Sequence, residues 1–225
     1  MIQPPSAALT AKDLFTLSHT LAAPLLARVT YPWEALEELG AFIRALGHVL
    51  PAEYEARRPG VWVHTTACVA PTAYLGEGII LGPGTEVRHG AYLRGNALVG
   101  EGAVVGNSTE LKNVILFDGV QVPHYNYVGD SVLGYRAHLG AGAVTSNVKS
   151  DRTPVTVRID GVLLPTGRKK LGALVGDRVE IGCNSVLNPG TVIGRDSRVY
   201  PLSCVRGFVP ANTIYKKQGE LAAIR

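Results

Sequence analysis

Residues 69–115, VAPTAYLGEGIILGPGTEVRHGAYLRGNALVGEGAVVGNSTELKNVI, carry an aliphatic side chain at every sixth position: Val69, Leu75, Leu81, Val87, Leu93, Val99, Val105 and Leu111. The fourth residue after each is mostly small, as at Ala73, Ala91, Ala97 and Ala103. A hexapeptide period marks a parallel β-helix in which each short strand sends one aliphatic residue inward and then turns a corner, three strands to a coil. The same phase returns at Val175, Ile181, Leu187, Ile193, Val199 and Val205. The fold class is therefore mainly β, a parallel β-helix of hexapeptide repeats. Its left hand is taken from the hexapeptide class, since periodicity does not report handedness.

Working outward, residues 1–60 read as helical. Leu14, Leu17, Leu21 and Leu25 recur at helical spacing, and Trp33, Leu36, Leu39, Ile43 and Leu46 fall on one face of a second segment that opens near Pro32 and closes at Gly47. The expected organisation is a small N-terminal helical cap over 1–60, covering an end of the solenoid, then the β-helix over 61–210 and a C-terminal tail over 211–225. The period slips between Leu111 and Val128 and breaks from Asn147 to Leu171. Inside that break VTVRIDGVLLP reads as a hairpin turning on Asp160-Gly161, an insertion near 148–172 expected to project and deliver Arg168, Lys169 and Lys170 to a neighbouring surface.

Composition closes off other classes. The 225 residues hold 22 Lys+Arg against 18 Asp+Glu, for a formal charge of +4, with 46% hydrophobic and 18% charged residues, which suits a packed core and not a disordered chain. Twenty-six Gly without a three-residue period exclude collagen. The basic residues fall in short scattered groups, so no nucleic-acid partner is expected. Three Cys without CxxC spacing disfavour a zinc site or a disulfide framework and suit a reducing cytoplasm. With no apolar run of membrane-spanning length and no leader-like start, a soluble cytoplasmic protein without a membrane partner is expected.

Chemistry concentrates at the slips. His124, in VPHYNYVGD, is expected to leave the coil wall there, and a neutral imidazole can accept a proton from an attacking nucleophile. Arg94 and Lys112 lie 18 residues apart, one full coil, which would stack two cations into an anion clamp; the alternative is a ladder neutralised by Glu77, Glu101 or Glu110.

The stretches LRGNALVGEGAVVGNSTELKN, VPHYNYVGD, LGAGAVTSN and TGRKKLGALVGDRVEIGCNSVLNPGTVIG together resemble the β-helical acetyltransferase domain of bifunctional glucosamine-1-phosphate acetyltransferase/N-acetylglucosamine-1-phosphate uridyltransferases and of archaeal sugar-1-phosphate nucleotidyltransferase/acetyltransferases. The resemblance implies an acyl-CoA-dependent N-acetyltransferase of amino-sugar 1-phosphates, with acetyl-CoA as co-substrate and a homotrimer with sites between neighbouring prisms. It implies His124 as general base and Arg94, Lys112, Tyr127, Asn147 and Lys170 as substrate-binding residues. His138 stands where the family has a substrate-contacting Asn. Ala141, Cys183 and Pro201 fall with the coenzyme, Cys183 replacing a serine, and no metal is implied. The family's CNYDG run is SNVKS here, and no glycine-rich nucleotide loop of its uridyltransferase half opens this sequence. A non-catalytic trimeric sugar-phosphate-binding module is the alternative. A γ-class carbonic anhydrase would need a closely spaced His pair that is missing.

Overall fold

A computed structural model describes residues 9–217 and 220–223. Parallel strands climb in coils whose inward residues form three columns. Leu75, Leu93, Leu111, Val128, Thr145, Leu187 and Val205 make the first. Leu81, Val99, Leu116, Leu133, Val175, Ile193 and Val209 make the second. Val69, Val87, Val105, Val122, Leu139, Ile181, Val199 and Tyr215 make the third. Every aliphatic position of the hexapeptide reading falls in one of them. The first two columns share one sheet, because strands such as Tyr74–Leu81 and Tyr92–Val99 span both; the third lies in a second sheet. Hydroxyls that reach the interior are satisfied by carbonyls of the next coil, as Thr85 to Gly100 and Thr109 to Val122. Among the described residues no helix is long and apolar enough to cross a membrane.

One flank of the prism is apolar outside as well as inside. Side chains alternate along a strand, so Ile80, Leu98, Ile115, Val132, Leu174 and Val192, each next to an inward residue, face out. All are at most 1% exposed. What covers them near the start of the prism is the helical segment, whose helix Ala35–Gly47 packs on the strands Tyr74–Leu81, Tyr92–Val99 and Glu110–Leu116. Trp33, Leu36, Leu39 and Ile43 are buried there. The segment thus lies along a side, and the expected cover for an end is corrected. Asn113 Nδ2 donates to the Leu36 carbonyl at 3.2 Å, and Gly40 leaves room for Asn96, whose amide would lie within 3.1 Å of any added Cβ.

The first leucine series does not form one helix. It breaks into Ala11–Leu14, a 3-10 turn Leu17–His19 and Ala23–Leu26, leaving Leu21 exposed. The reason is tertiary: Thr16 turns extended and gives its N–H and hydroxyl to the fully buried Asp177 carboxylate at 2.8 and 2.7 Å, bonds that replace helical ones and tie the chain to the prism. Within 1–60, Tyr54–Arg58 is a strand antiparallel to Val61–His64. The expected C-terminal tail also belongs to the sheet, because Thr213–Lys217 pairs with Arg198–Val199 and Glu220–Ala223.

The Asp160-Gly161 hairpin forms from Thr156–Ile159 and Val162–Pro165, but it does not project. It folds back on the strands Thr191–Ile193 and Phe208–Val209, with Val155, Val157 and Ile159 buried, and so covers the same apolar flank where the helical segment ends.

Leu39 is fully buried at the helix–flank contact. Leu39→Ala is expected to lower stability by about 2–5 kcal/mol, read by chemical denaturation. An unchanged midpoint would show a helical segment that is not part of the cooperative unit.

Candidate functional site

Two consecutive coils are one residue short on the apolar side, and the shortening makes the site. Leu93 pairs with Leu111 but Gly95 pairs with Lys112, so Arg94 is the extra residue of a bulge. The expected 18-residue stacking of Arg94 on Lys112 is therefore corrected: they are out of register by one. The backbone absorbs the change at Asn96, Asn113 and Asp130, which stack at 17-residue spacing with φ of 49°, 56° and 47°. Asn and Asp are the side chains that best tolerate that left-handed conformation.

The kinked strands, the helix Ala35–Gly47 and the chain leaving the hairpin border an open cavity of about 590 Å³. Arg94 and Lys112 enter it from the coils, Arg168, Lys169 and Lys170 from the hairpin exit, and Glu37 from the helix. Arg168–Lys170 thus line a cavity of their own chain.

Asp130, whose side chain is 2% exposed, organises the floor. It accepts from Lys112 Nζ at 2.8 and 2.9 Å, Asn113 Nδ2 at 3.0 Å and Asn147 Nδ2 at 2.6 Å. Asn147 Nδ2 also donates to the Tyr127 hydroxyl at 3.2 Å. Arg94 pairs with Glu110 at 3.3 Å and Arg168 with Glu37 at 4.0 Å. Of the three neutralising carboxylates the sequence offered, Glu110 is the one that pairs with Arg94. Burial, reinforced by the charges of Glu110 and Asp130 and opposed by the Asn147 hydrogen bond and Arg94, raises the Tyr127 phenol above its ordinary value.

His124 does not leave the wall. It ends the strand Gln121–His124, pairs with Asn107 and stands exposed at a corner, where Tyr125 turns the chain with φ 51°. It does not line the 590 Å³ cavity. The same corner, coil after coil, stacks His124 beneath Ala141, Cys183 and Pro201: Gly142 N–H donates to the His124 carbonyl, Asn184 N–H to Ala141 and Leu202 N–H to Cys183 at 2.8–3.0 Å. Cys183 and Pro201 line a second cavity of about 280 Å³ with His138 and Tyr200. His138, grouped by the sequence with the substrate residues, lies here, its Nδ1 2.7 Å from Glu180. The structure thus gathers the sequence-predicted residues in two groups, a basic cavity with Tyr127 and Asn147 at its edge and a corner edge of the prism.

No family model matches the chain. A bifunctional sugar-1-phosphate nucleotidylyltransferase/acetyltransferase of Sulfurisphaera tokodaii is 36% identical over 106 residues, 47% of this chain and 26% of that protein. The bifunctional protein GlmU of Methanococcus maripaludis strain C5 is 33% identical over 111 residues, 49% of this chain and 27% of that protein. The chain is homologous to these bifunctional proteins. It spans about a quarter of their length. Among solved structures, a hexapeptide transferase family protein from Anaplasma phagocytophilum is similar at 18% identity and a TM-score of 0.42, over 74% of this chain and 81% of that one.

Asp130 is the residue that sequence reasoning missed. Its signal is the 17-residue recurrence Asn96, Asn113, Asp130, whose short polar side chains mark a left-handed column. Among the described residues no group of His, Cys, Asp and Glu is arranged to hold a metal ion.

Glu110→Gln releases Arg94, so inorganic pyrophosphate is expected to bind roughly two- to fivefold more tightly, as fits an exposed ion pair; calorimetric titration at low salt reads the change, and weaker binding would contradict the assignment of Glu110 as competitor. Because the Tyr127 pKa is raised in the folded chain, its contribution is present below about pH 10 and is lost as pH rises through the folded value. Tyr127→Phe is expected to flatten the alkaline loss of stability, followed as melting temperature against pH.

Proposed function

We propose that this chain is an acyl-CoA-dependent N-acetyltransferase acting on an amino-sugar phosphate. The observation that carries the reading is the stacking of His124, Ala141, Cys183 and Pro201 on one corner, a column that begins on the coils of the basic cavity. The homology supports it. Since the helical segment ends at Gly47, more than half of any shared stretch of 106 residues lies beyond it, and both relatives carry the acetyltransferase or bifunctional name.

In this reading Arg94 and Lys112, with Lys169 and Lys170 across the cavity, hold the phosphate, Arg by parallel hydrogen bonds and Lys as point charges. Asp130 and Asn147 fix Lys112 and Tyr127 in place. Acetyl-CoA, lying along the corner past Ala141, Cys183 and Pro201, supplies an acetyl group activated as a thioester. The exposed edge and the 280 Å³ cavity with its Cys183 and Pro201 wall suit an elongated ligand. His124 accepts the proton the sugar amine loses as its nitrogen bonds the acetyl carbon and the thiolate departs. A homotrimer belongs to the same proposal, with light scattering as its test.

One observation favours a binding module without chemistry: the His124 ring lies outside the cavity that would hold the phosphate. A thiol-release assay with acetyl-CoA and glucosamine-1-phosphate or galactosamine-1-phosphate separates the two. His124→Ala is expected to cost roughly 10²- to 10⁴-fold in kcat, and Lys112→Ala to raise KM for the sugar phosphate. Tight sugar-phosphate binding with no thiol release in the wild type, from either sugar 1-phosphate or from its nucleoside-diphosphate form, would establish the binding module instead.

A further inference from the structure

Next to the corner column that holds His124, the outward side chains one step along the coil are Tyr74, Tyr92, Glu110 and Tyr127, each in register with the next. The lower two are exposed, Tyr74 at 57% and Tyr92 at 41%, with ring centroids 5.5 Å apart. Tyr92 stands two residues before Arg94 on one strand, so the aromatic pair begins where the basic cavity ends. Beyond Tyr74 the Arg58 guanidinium lies 5.6 Å from its ring centre and donates to the Gly76 carbonyl at 3.1 Å. Arg57, Arg58 and Tyr74 line a cavity of their own, about 350 Å³. Neither the core nor the helical segment needs these tyrosines, which face solvent.

The order along this edge is an imidazole at His124, cations at Lys112 and Arg94, an aromatic step at Tyr92 and Tyr74, and a concave end with two guanidinium groups. Coils rise roughly 4.8 Å each. An amino-sugar 1-phosphate runs out at the cations. The step below them is built for a planar ring, which stacks on an exposed tyrosine face, with Arg58 on the same ring.

We infer that the substrate is a nucleotide-linked amino sugar, its diphosphate at Arg94 and Lys112 and its nucleoside on Tyr92 and Tyr74 in the Arg57–Arg58 cavity. This rests on the basic cavity being the phosphate site of the proposed reaction. It makes the amino group being acetylated part of an already activated sugar, so a nucleotidyl transfer precedes this step.

Titration calorimetry with inorganic pyrophosphate, UDP and GDP tests it on this chain. At least one nucleoside diphosphate is expected to bind roughly tenfold or more tightly than pyrophosphate, the gain of one stacked base. Tyr74→Ala and Tyr92→Ala should erase that gain, and Tyr74→Phe should restore it, which separates stacking from a folding defect. Lys112→Ala should weaken all three ligands together. Pyrophosphate binding that depends on Lys112, with neither UDP nor GDP binding more tightly, would overturn the nucleoside site and leave the phosphate site standing. Absence of binding by all three would overturn both. A nucleoside gain that survives both alanine variants would place the base elsewhere and also sink the inference.

Discussion

Each coil can close its hydrogen bonds only onto a coil of matching outline. That constraint aligns the inward aliphatics in columns, so any residue gained or lost must be absorbed at a fixed place on the circumference. Here it is absorbed on the apolar flank, at the column of Asn96, Asn113 and Asp130. The backbone there adopts a left-handed turn, and the displaced side chains meet the helical segment through the Asn113 bond to Leu36. Loss of one residue per coil thus bends the flank where the cover must seat.

The cover in turn builds the cavity. A prism flank with Ile80, Leu98, Ile115, Val132, Leu174 and Val192 facing outward cannot stand in water, because each fully buried aliphatic side chain is worth about 1.5–3 kcal/mol. Two separate pieces of chain, the N-terminal helical segment and the inserted hairpin, seal it together. Where two covers meet over a kinked surface a seam remains, and the seam is lined by what each contributes: Glu37 from one, Lys169 and Lys170 from the other, Lys112 and Asp130 from beneath. The binding surface is therefore a consequence of how the apolar flank is covered.

Much of this was legible. The inward columns follow from the six-residue period, and the hairpin from Asp160-Gly161. The helical segment's position was legible too, in a signal the period hides. At every third hexapeptide the inward residue is preceded by another aliphatic, Ile80-Leu81, Leu98-Val99, Ile115-Leu116, Val132-Leu133, Leu174-Val175 and Val192-Ile193, whereas the third column mostly has a polar residue there, as in Glu86-Val87, Gln121-Val122 and His138-Leu139, with Val104-Val105 an exception. Such doublets mark a flank that is buried on both sides and hence needs a lateral cover. The breakup of the leucine series at Thr16 was not legible, because its partner Asp177 lies 161 residues away. Nor was the Arg94 bulge, since spacing in the sequence does not say on which side of a slip a residue falls.

In a cavity proposed to hold an anion, Asp130 looks misplaced, since its charge would oppose such a ligand. The balance favours it for two reasons. Arg94, Lys112, Arg168, Lys169 and Lys170 share one cavity, and without counter-charge their mutual repulsion would splay the flexible lysines into solvent. Asp130, Glu37 and Glu110 leave an excess of positive charge suited to a phosphate while holding three of the five cations in place. A buried carboxylate is stable only when its lone pairs are filled, and Asp130 meets that condition with donors from Lys112, Asn113 and Asn147. Those bonds orient the lysine and the amide before any ligand arrives, and Asn147 passes the ordering to Tyr127. Asp130 weakens the attraction between cavity and anion in exchange for a rigid geometry, an exchange that would suit the proposed phosphate site, where the direction of the rest of the substrate follows from where the phosphate is held.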